Sequence, residues 1–244
     1  MAVTGLDSQI LFEDAALVVL NKPSGLLTLP DRFDPKQENL RQLLIQRYGT
    51  IFVVHRLDRG TSGVIVFAKT AAAHRHLSRQ FGAHQVHKCY HALVHGVLPQ
   101  PVREITLRLA PDPRRKGLVH THRFGKAAHT RATLLESYRT ISLLQCEPRT
   151  GRQHQIRVHL HAIGHPLLVD PEYGKTETFQ LSALKPHYRL AAGTTERPLI
   201  ARLTLHAFQL TLNHPLTDAP ITFEAPYPKD FRATVQMLRK YGKG

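Results

Sequence analysis

The chain has 244 residues, 42% of them apolar, which is enough for one sizeable core and at most two domains. Thirty-three Lys and Arg against eighteen Asp and Glu leave a formal charge of +15, so the summed field draws polyanions and nucleic acid is the first partner to consider, although a solvated basic surface has the same composition. Cys89 and Cys146 are too few for a disulfide framework or a four-thiolate metal site, no run approaches the ~20 apolar residues of a membrane span, and residues 1–12 lack a signal-peptide pattern; the expectation is a reduced, cytoplasmic protein with no membrane partner.

In chain order, residues 17–20 (Leu-Val-Val-Leu) predict a buried strand that runs into the Pro-Gly turn chemistry of Lys22-Pro23-Ser24-Gly25. Leu40, Leu43 and Leu44 give a helical face up to Tyr48, residues 51–54 form a strand that stops at His55, and a further strand follows over 64–68. Between those strands lies a polar loop, dense in charge and glycine, of the kind that often carries function. Residues 71–85 predict a basic helix with His74, Arg75, His76 and Arg79, a pattern that fits a solvated face better than a dedicated RNA contact.

Alternating β-branched and aromatic residues over 88–96, 105–110 and 130–146 predict a long antiparallel sheet. Helical spacing returns over 153–164, with Ile156, Leu160 and Ile163 on one side, Gly164 placed to end it, and Arg152 and His154 at or before its first turn. Residues 176–198 lack periodicity and read as an insertion. Strand character resumes over 203–212 and 221–225, and Phe231, Val235 and Leu238 mark a closing helix. No linker compels a division, so one domain over 1–244 is expected, of mixed α/β (α+β) class with helices packed at the sheet's edges.

The loop over 55–63 holds one carboxylate, Asp58, between Arg56 and Arg59. Positive neighbours favour the charged form of a carboxylate, and a charged, oriented carboxylate is what nucleophilic attack by aspartate requires; the same residues would also make an ordinary turn with surface ion pairs. His154, His159, His161 and His165 raise a metal reading, and with it a metal-dependent hydrolase, but no Cys or carboxylate set accompanies them. Lys22 after a strand suggests phosphate contact only weakly, because no glycine-rich nucleotide loop surrounds it.

His55-Arg56-Leu57-Asp58 followed by Thr61-Ser62-Gly63 resembles the signature loop of the RluA-type pseudouridine synthases. The likeness continues in family order through Val19-Leu20-Asn21-Lys22-Pro23-Ser24-Gly25-Leu26, the tyrosine strand Lys88-Cys89-Tyr90-His91-Ala92-Leu93-Val94-His95-Gly96, the segment from Gly151-Arg152-Gln153-His154-Gln155-Ile156-Arg157-Val158-His159 to Gly164-His165-Pro166, and Leu205-His206-Ala207. These motifs span about four-fifths of the chain, far more than one short match could. Histidine before Arg56 favours the RluA branch over the RsuA-type sister group. Gln153 and Val169 depart from the threonine or serine and the glycine common at those places, and neither removes a proposed catalytic group.

The resemblance implies one catalytic domain with a mostly antiparallel central sheet, flanking helices and a cleft, with Asp58 as nucleophile. Tyr90 would lie against a flipped uracil and assist removal of the C5 proton, Arg157 would pair with the Asp58 carboxylate, and Arg56 would contact phosphate or fill the gap left by the flipped base. His55, Lys22, Arg59, Arg152 and His154 complete an expected RNA-binding set. The reaction needs neither redox equivalents nor phosphate energy, so no cofactor, no nucleotide and no metal is expected, and the protein is expected to work on ribosomal or transfer RNA as a monomer. The chain begins close to the first motif, which would leave no room ahead of it for the small S4-type RNA-binding domain of many relatives. The alternative is a non-catalytic RNA-binding or ribosome-associated protein of the same fold, for which the set of Asp58, Tyr90 and Arg157 has no evident use.

Overall fold

The computed structural model describes residues 3–31, 34–185, 188–189 and 193–242. Along the chain come α1 (Val3–Leu6), β1 (Ile10–Glu13), β2 (Leu17–Lys22), α2 (Leu40–Tyr48), β3 (Phe52–Val53), β4 (Ser62–Ala68), α3 (Ala71–Gly82) and β5 (His87–His95). They are followed by β6 (Val102–Ile105), β7 (Leu109–Pro111), β8 (Val119–Thr121), β9 (Thr130–Ser137), β10 (Ile141–Pro148), α4 (Gln155–Ala162), β11 (Leu205–Asn213), β12 (Pro220–Glu224) and α5 (Lys229–Tyr241). The class is the mixed α+β one expected, with mostly antiparallel pairing. Two of the helices, α2 and α3, start where a side chain satisfies a first-turn amide: the Asn39 side chain accepts from the Gln42 amide, and the Thr70 hydroxyl from the Ala73 amide.

The chain forms two compact units, one of residues 1–89 and 206–226, the other of 90–205 and 227–244. The division passes through β5 between Cys89 and Tyr90, inside a strand, which is why no linker announces it. In the first unit β2 lies between β1 and β4, and β11 and β12 follow beyond β4. Every residue of β4 is buried, as befits a strand covered on both faces. One edge of β4 pairs with β2; the other pairs parallel with β11 at Ser62 and Gly63 and antiparallel with β3 at Phe67 and Ala68. Gly63 has φ 116°, and a Cβ there would sit 2.1 Å from the Ala207 carbonyl oxygen, so only glycine lets β11 approach.

In the second unit β10 lies between β5 and β9, and β6 closes the edge beyond β9, all antiparallel. The inward residues Ala92, Val94, Leu144 and Cys146 of this sheet pack against Ile156 and Leu160 of α4. A second cluster joins Leu93, Leu143 and Leu168 to Phe231, Val235 and Leu238 of α5. β7 and β8 form a separate two-stranded arm.

Several boundaries differ from expectation for local reasons. The run 130–146 is a hairpin that turns at 138–140, where the Tyr138 amide donates to the Ile141 carbonyl. The strand expected over 105–110 is broken by the exposed residues 106–108. The basic helix ends at Gly82, before His84 adopts φ 57°. The segment 176–198, expected as an insertion, is anchored at two points: Phe179 bridges Ile200, and Phe179 and Leu184 enter the α5 core. Single anchors of this kind leave no periodicity to read, and residues 186–187 and 190–192 lie outside the described residues. Among the described residues no helix is long and apolar enough to cross a membrane.

Candidate active site

The Asp58 loop is held by backbone groups that would otherwise lack partners. Lys22, at the end of β2, is fully buried, and its ammonium donates to the carbonyls of Pro23 (3.0 Å), Leu26 (2.7 Å) and Arg59 (3.1 Å). Three donors meet three acceptors, which is how a buried lysine offsets its desolvation. The expected RNA contact by Lys22 is therefore corrected: its charge is spent inside the protein, tying the 23–26 turn to the Asp58 loop.

Further bonds join the same two segments. The Gly25 amide donates to the Arg59 carbonyl (2.8 Å), Arg59 Nε returns a bond to the Gly25 carbonyl (3.1 Å), and Ser24 Oγ donates to the Gly60 carbonyl (2.7 Å). The Thr28 hydroxyl donates to the Leu57 carbonyl (3.0 Å) and accepts from the Leu57 amide (3.3 Å). A turn closes Asp58 itself, the Thr61 amide donating to its carbonyl at 3.1 Å. With Leu57 buried and the backbone fixed on both sides, Asp58 is half-buried while Arg56 and Arg59 are exposed. Ser24 and Thr28 were not singled out from the sequence, since a hydroxyl in a turn has many uses.

His55 closes a gap in the sheet. Between the stretches of β4 that pair with β11 and with β3, the Val66 amide donates to His55 Nε2 at 3.1 Å, and the ring stacks on Phe81 with centroids 4.7 Å apart. Burial pushes the imidazole down to about 3, with the positive Lys88 adding to the effect. His55 is thus corrected from an RNA contact to a neutral acceptor that fixes the start of the loop. Because the folded state keeps it neutral while the unfolded chain binds a proton near 6.5, stability is fully present above about pH 6.5 and falls as the pH drops toward 3. Between pH 7 and pH 5 this single site should cost about 2 kcal/mol. Denaturant melts of wild type and His55→Gln at the two pH values check this: the variant's pH dependence should be shallower by that amount, and equal slopes would remove His55 as the cause.

Next to the loop, Ser62 and His206 are both fully buried. His206 Nε2 lies 3.0 Å from the Ala225 carbonyl, which can only accept, so Nδ1 is the acceptor for the Ser62 hydroxyl at 2.9 Å. The Leu205-His206-Ala207 motif therefore holds the first residue of β4 in place.

In the second unit Arg157 projects from α4, buried, and makes a two-pronged pair with Asp170: Nε to Oδ2 at 2.8 Å and Nη2 to Oδ1 at 2.7 Å. Nη2 also reaches Glu172 Oε2 at 2.5 Å. The bidentate partner expected to be Asp58 is Asp170, a residue of the same unit thirteen positions along the chain. Burial opposes the guanidinium charge, but the bonds from Asp170 and Glu172 outweigh it and hold the group above its ordinary value.

Asp170 Oδ1 also accepts the amides of Glu172 and Tyr173. Tyr173 lies under the Arg157 guanidinium, 4.8 Å from the ring centroid, and its hydroxyl accepts the Val119 amide at 3.0 Å. Arg157, Asp170 and Tyr173 thus form one chain of contacts ending on β8. A second fork, Arg202 to Asp230 at 2.7 and 2.8 Å, pins the start of α5; neither acid was legible as a partner, because each lies far from its arginine or in a turn without periodicity.

Tyr90 is half-buried on β5, opposite Cys146 of β10, and packs against the apolar cluster of the second unit. Arg152 is exposed, with Nε donating to the Ala127 carbonyl at 3.1 Å. His154 takes a left-handed conformation (φ 52°) ahead of α4, with Nδ1 2.9 Å from the Tyr173 hydroxyl, so it serves the same turn as Arg157. His159 is buried, its Nε2 donating to the Leu107 carbonyl and its Nδ1 facing the Thr130 hydroxyl. Among the described residues no three His, Cys, Asp or Glu side chains converge as metal ligands.

A mixed, mostly antiparallel fold carrying one aspartate between two exposed arginines on a clamped loop defines a class. The model of the family described as RNA pseudouridylate synthase matches residues 16–162, and the chain belongs to that family, in its RluA-type branch. The dual-specificity RNA pseudouridine synthase RluA of Escherichia coli K12 is 37% identical over 220 residues, covering 89% of this chain and 92% of its own. The ribosomal large subunit pseudouridine synthase D of Neisseria meningitidis serogroup B is 35% identical over 240 residues; the match covers 94% of this chain, which spans 61% of that relative's length. The solved structure of human RNA Pseudouridylate Synthase Domain Containing 4 superposes with a TM-score of 0.70 at 28% identity, covering 97% of this chain and 95% of its own.

Proposed function

We propose that this protein is an RNA pseudouridine synthase that isomerises a uridine of ribosomal or transfer RNA in the cytoplasm, with Asp58 as nucleophile and without a cofactor. The observation that carries the reading is the Asp58 loop: a lone carboxylate whose backbone is clamped from both sides while its two arginine neighbours face solvent. With the backbone clamped, only the two side-chain torsions of Asp58 remain to be fixed at the transition state. Exposed arginines suit a substrate that must be unstacked at a cost of a few kcal/mol, because a guanidinium binds phosphate and stacks on bases. The names of the relatives, a ribosomal large-subunit enzyme and a dual-specificity RNA enzyme, support an RNA substrate and, in the first case, a ribosomal one.

In the reaction the bond from uracil N1 to ribose C1′ breaks, the base turns, and C5 bonds to C1′; N1 gains a proton and C5 loses one. Asp58 supplies the carboxylate, and Tyr90 offers a ring to hold the turned base and a hydroxyl to help remove the C5 proton. Arg157 holds the Asp170–Tyr173 turn in place. Pseudouridine mapping of total RNA from cells with and without the protein tests the reading: sites lost on deletion and restored by wild type are expected, and an unchanged map would overturn it.

The two parts assigned to Tyr90 separate in two variants. Tyr90→Phe keeps the ring and should bind RNA as wild type does while single-turnover isomerisation slows by roughly 10²-fold or more, the usual size of a general acid–base contribution. Tyr90→Leu should also weaken RNA affinity, since stacking on a base is worth about 1–3 kcal/mol. A wild-type rate in Tyr90→Phe would leave the ring its holding role alone.

A further inference from the structure

The β7–β8 arm carries an aromatic side chain that the rest of the second unit does not cover. Phe124 follows β8 and is 76% exposed, the most open of the exposed large apolar residues described. The turn that presents it is fixed. The Gly125 amide donates to the His122 carbonyl (2.8 Å), Leu109 and Lys126 exchange backbone bonds at 2.9 and 2.8 Å, and Arg108 Nε donates to the Gly125 carbonyl (2.8 Å). A Cβ on Gly125 would lie 2.5 Å from Leu109 backbone atoms, so glycine is required for the turn to close against β7. The closed turn leaves the Phe124 ring outward.

The surroundings of the ring are cationic and aromatic. The Arg123 guanidinium lies 4.5 Å from the Phe124 centroid, and His122 is tilted against the ring at 5.8 Å, itself meeting His120 edge-on at 5.5 Å. Residues 106–127 hold six Lys and Arg and one acid, Asp112, which is paired with Arg115 at 2.9 Å. The cores of protein–protein interfaces are depleted in charge, whereas an open ring among arginines and lysines is how proteins hold single-stranded nucleic acid, with bases on the ring and phosphates on the cations.

We propose that the β7–β8 arm is a docking site for an unpaired segment of RNA, with a base stacked on Phe124 and the adjoining phosphates on Arg108, Arg123 and Lys126. It rests on the proposed RNA substrate and adds to it a contact made by the arm rather than by the Asp58 loop. The base must come from a loop or a strand end, because paired bases in a helix keep their faces covered. The arm is held by Tyr173 and Gln153 at the β7–β8 connection, the Tyr173 hydroxyl accepting from the Val119 amide and Gln153 Nε2 donating to the Gly117 carbonyl (2.8 Å).

The chain contains no tryptophan, so Phe124→Trp provides a single fluorophore at the proposed stacking point. Titration of that variant with poly(U) should quench its emission, whereas inorganic polyphosphate, which binds the cations but has no base, should not. In parallel, Phe124→Ala should weaken poly(U) binding by about fivefold or more, the factor expected for one stacked base, with Phe124→Trp close to wild type. Equal quenching by polyphosphate would reduce the arm to a bare anion patch. No quenching by poly(U) together with wild-type affinity in Phe124→Ala would overturn the proposal and leave the ring for a protein partner. Repeating the titration in an Asp58→Asn, Phe124→Trp double variant keeps the two readings apart: the arm should quench unchanged whatever happens to isomerisation, and loss of quenching there would tie the signal to the catalytic loop instead.

Discussion

Asp58→Asn and Asp58→Ala should abolish pseudouridine formation while the protein still melts cooperatively and still binds RNA. The carboxamide of asparagine matches the carboxylate in shape and lacks its charge and nucleophilicity, so a rate loss in Asp58→Asn reports chemistry rather than packing. The loop should survive either change, because its position depends on Lys22, Ser24 and Thr28, which hold the backbone carbonyls of residues 57, 59 and 60. The measurement is single-turnover conversion of a mapped uridine, with thermal melting and RNA affinity alongside. Turnover above about a tenth of wild type in either variant would remove Asp58 as nucleophile. A loss of RNA binding equal to the loss of rate would assign Asp58 to binding instead.

How far the sequence reached depends on the kind of interaction. Period and turn chemistry placed β2, α2, β4 and α5 closely, because β2 and β4 are continuous apolar runs of buried strands, whereas α2 and α5 repeat apolar residues along one buried face. β1 and β8 escaped because each is short and borrows its burial from a neighbour rather than from its own alternation. Asp58 was legible as the lone acid in a basic loop. The uses of Lys22 and His55 were not, since a lysine and a histidine beside a loop look the same whether they face a phosphate or a backbone group. What decides the matter is burial: Lys22 is enclosed by three carbonyls, and His55 by Phe81 and the Val66 amide. Arg157 failed differently. Its helix was legible, but by itself the residue looked like one of the surface, and a carboxylate partner came only from the family resemblance; the actual partner comes from a turn that periodicity does not describe, and thirteen residues of separation say nothing about which acid the guanidinium meets.

The Arg157–Asp170 pair makes the second large prediction. Their side chains are 5% and 1% exposed, so removing one charge leaves the other buried without its match, a loss of about 3–5 kcal/mol. For a chain of this length each kcal/mol moves the melting temperature by about 2–4 °C, so Asp170→Asn should melt roughly 6–20 °C below wild type. Glu172, half-exposed and also bonded to Arg157, places the expected value toward the lower end. The contacts of Asp170 also say where the loss is felt. The Glu172 and Tyr173 amides lose a charged acceptor, the Tyr173 ring is released, and the Val119 amide loses the hydroxyl that accepts it. Hydrogen exchange at Val119 should therefore quicken in Asp170→Asn, while Val66, held by His55 in the other unit, keeps its protection. Arg157→Lys should behave similarly, because an ammonium keeps the charge and loses the fork. If Asp170→Asn melts within about 2 °C of wild type with Val119 still protected, the pair contributes little to the fold and the case for Arg157 as a positioning residue of this turn falls.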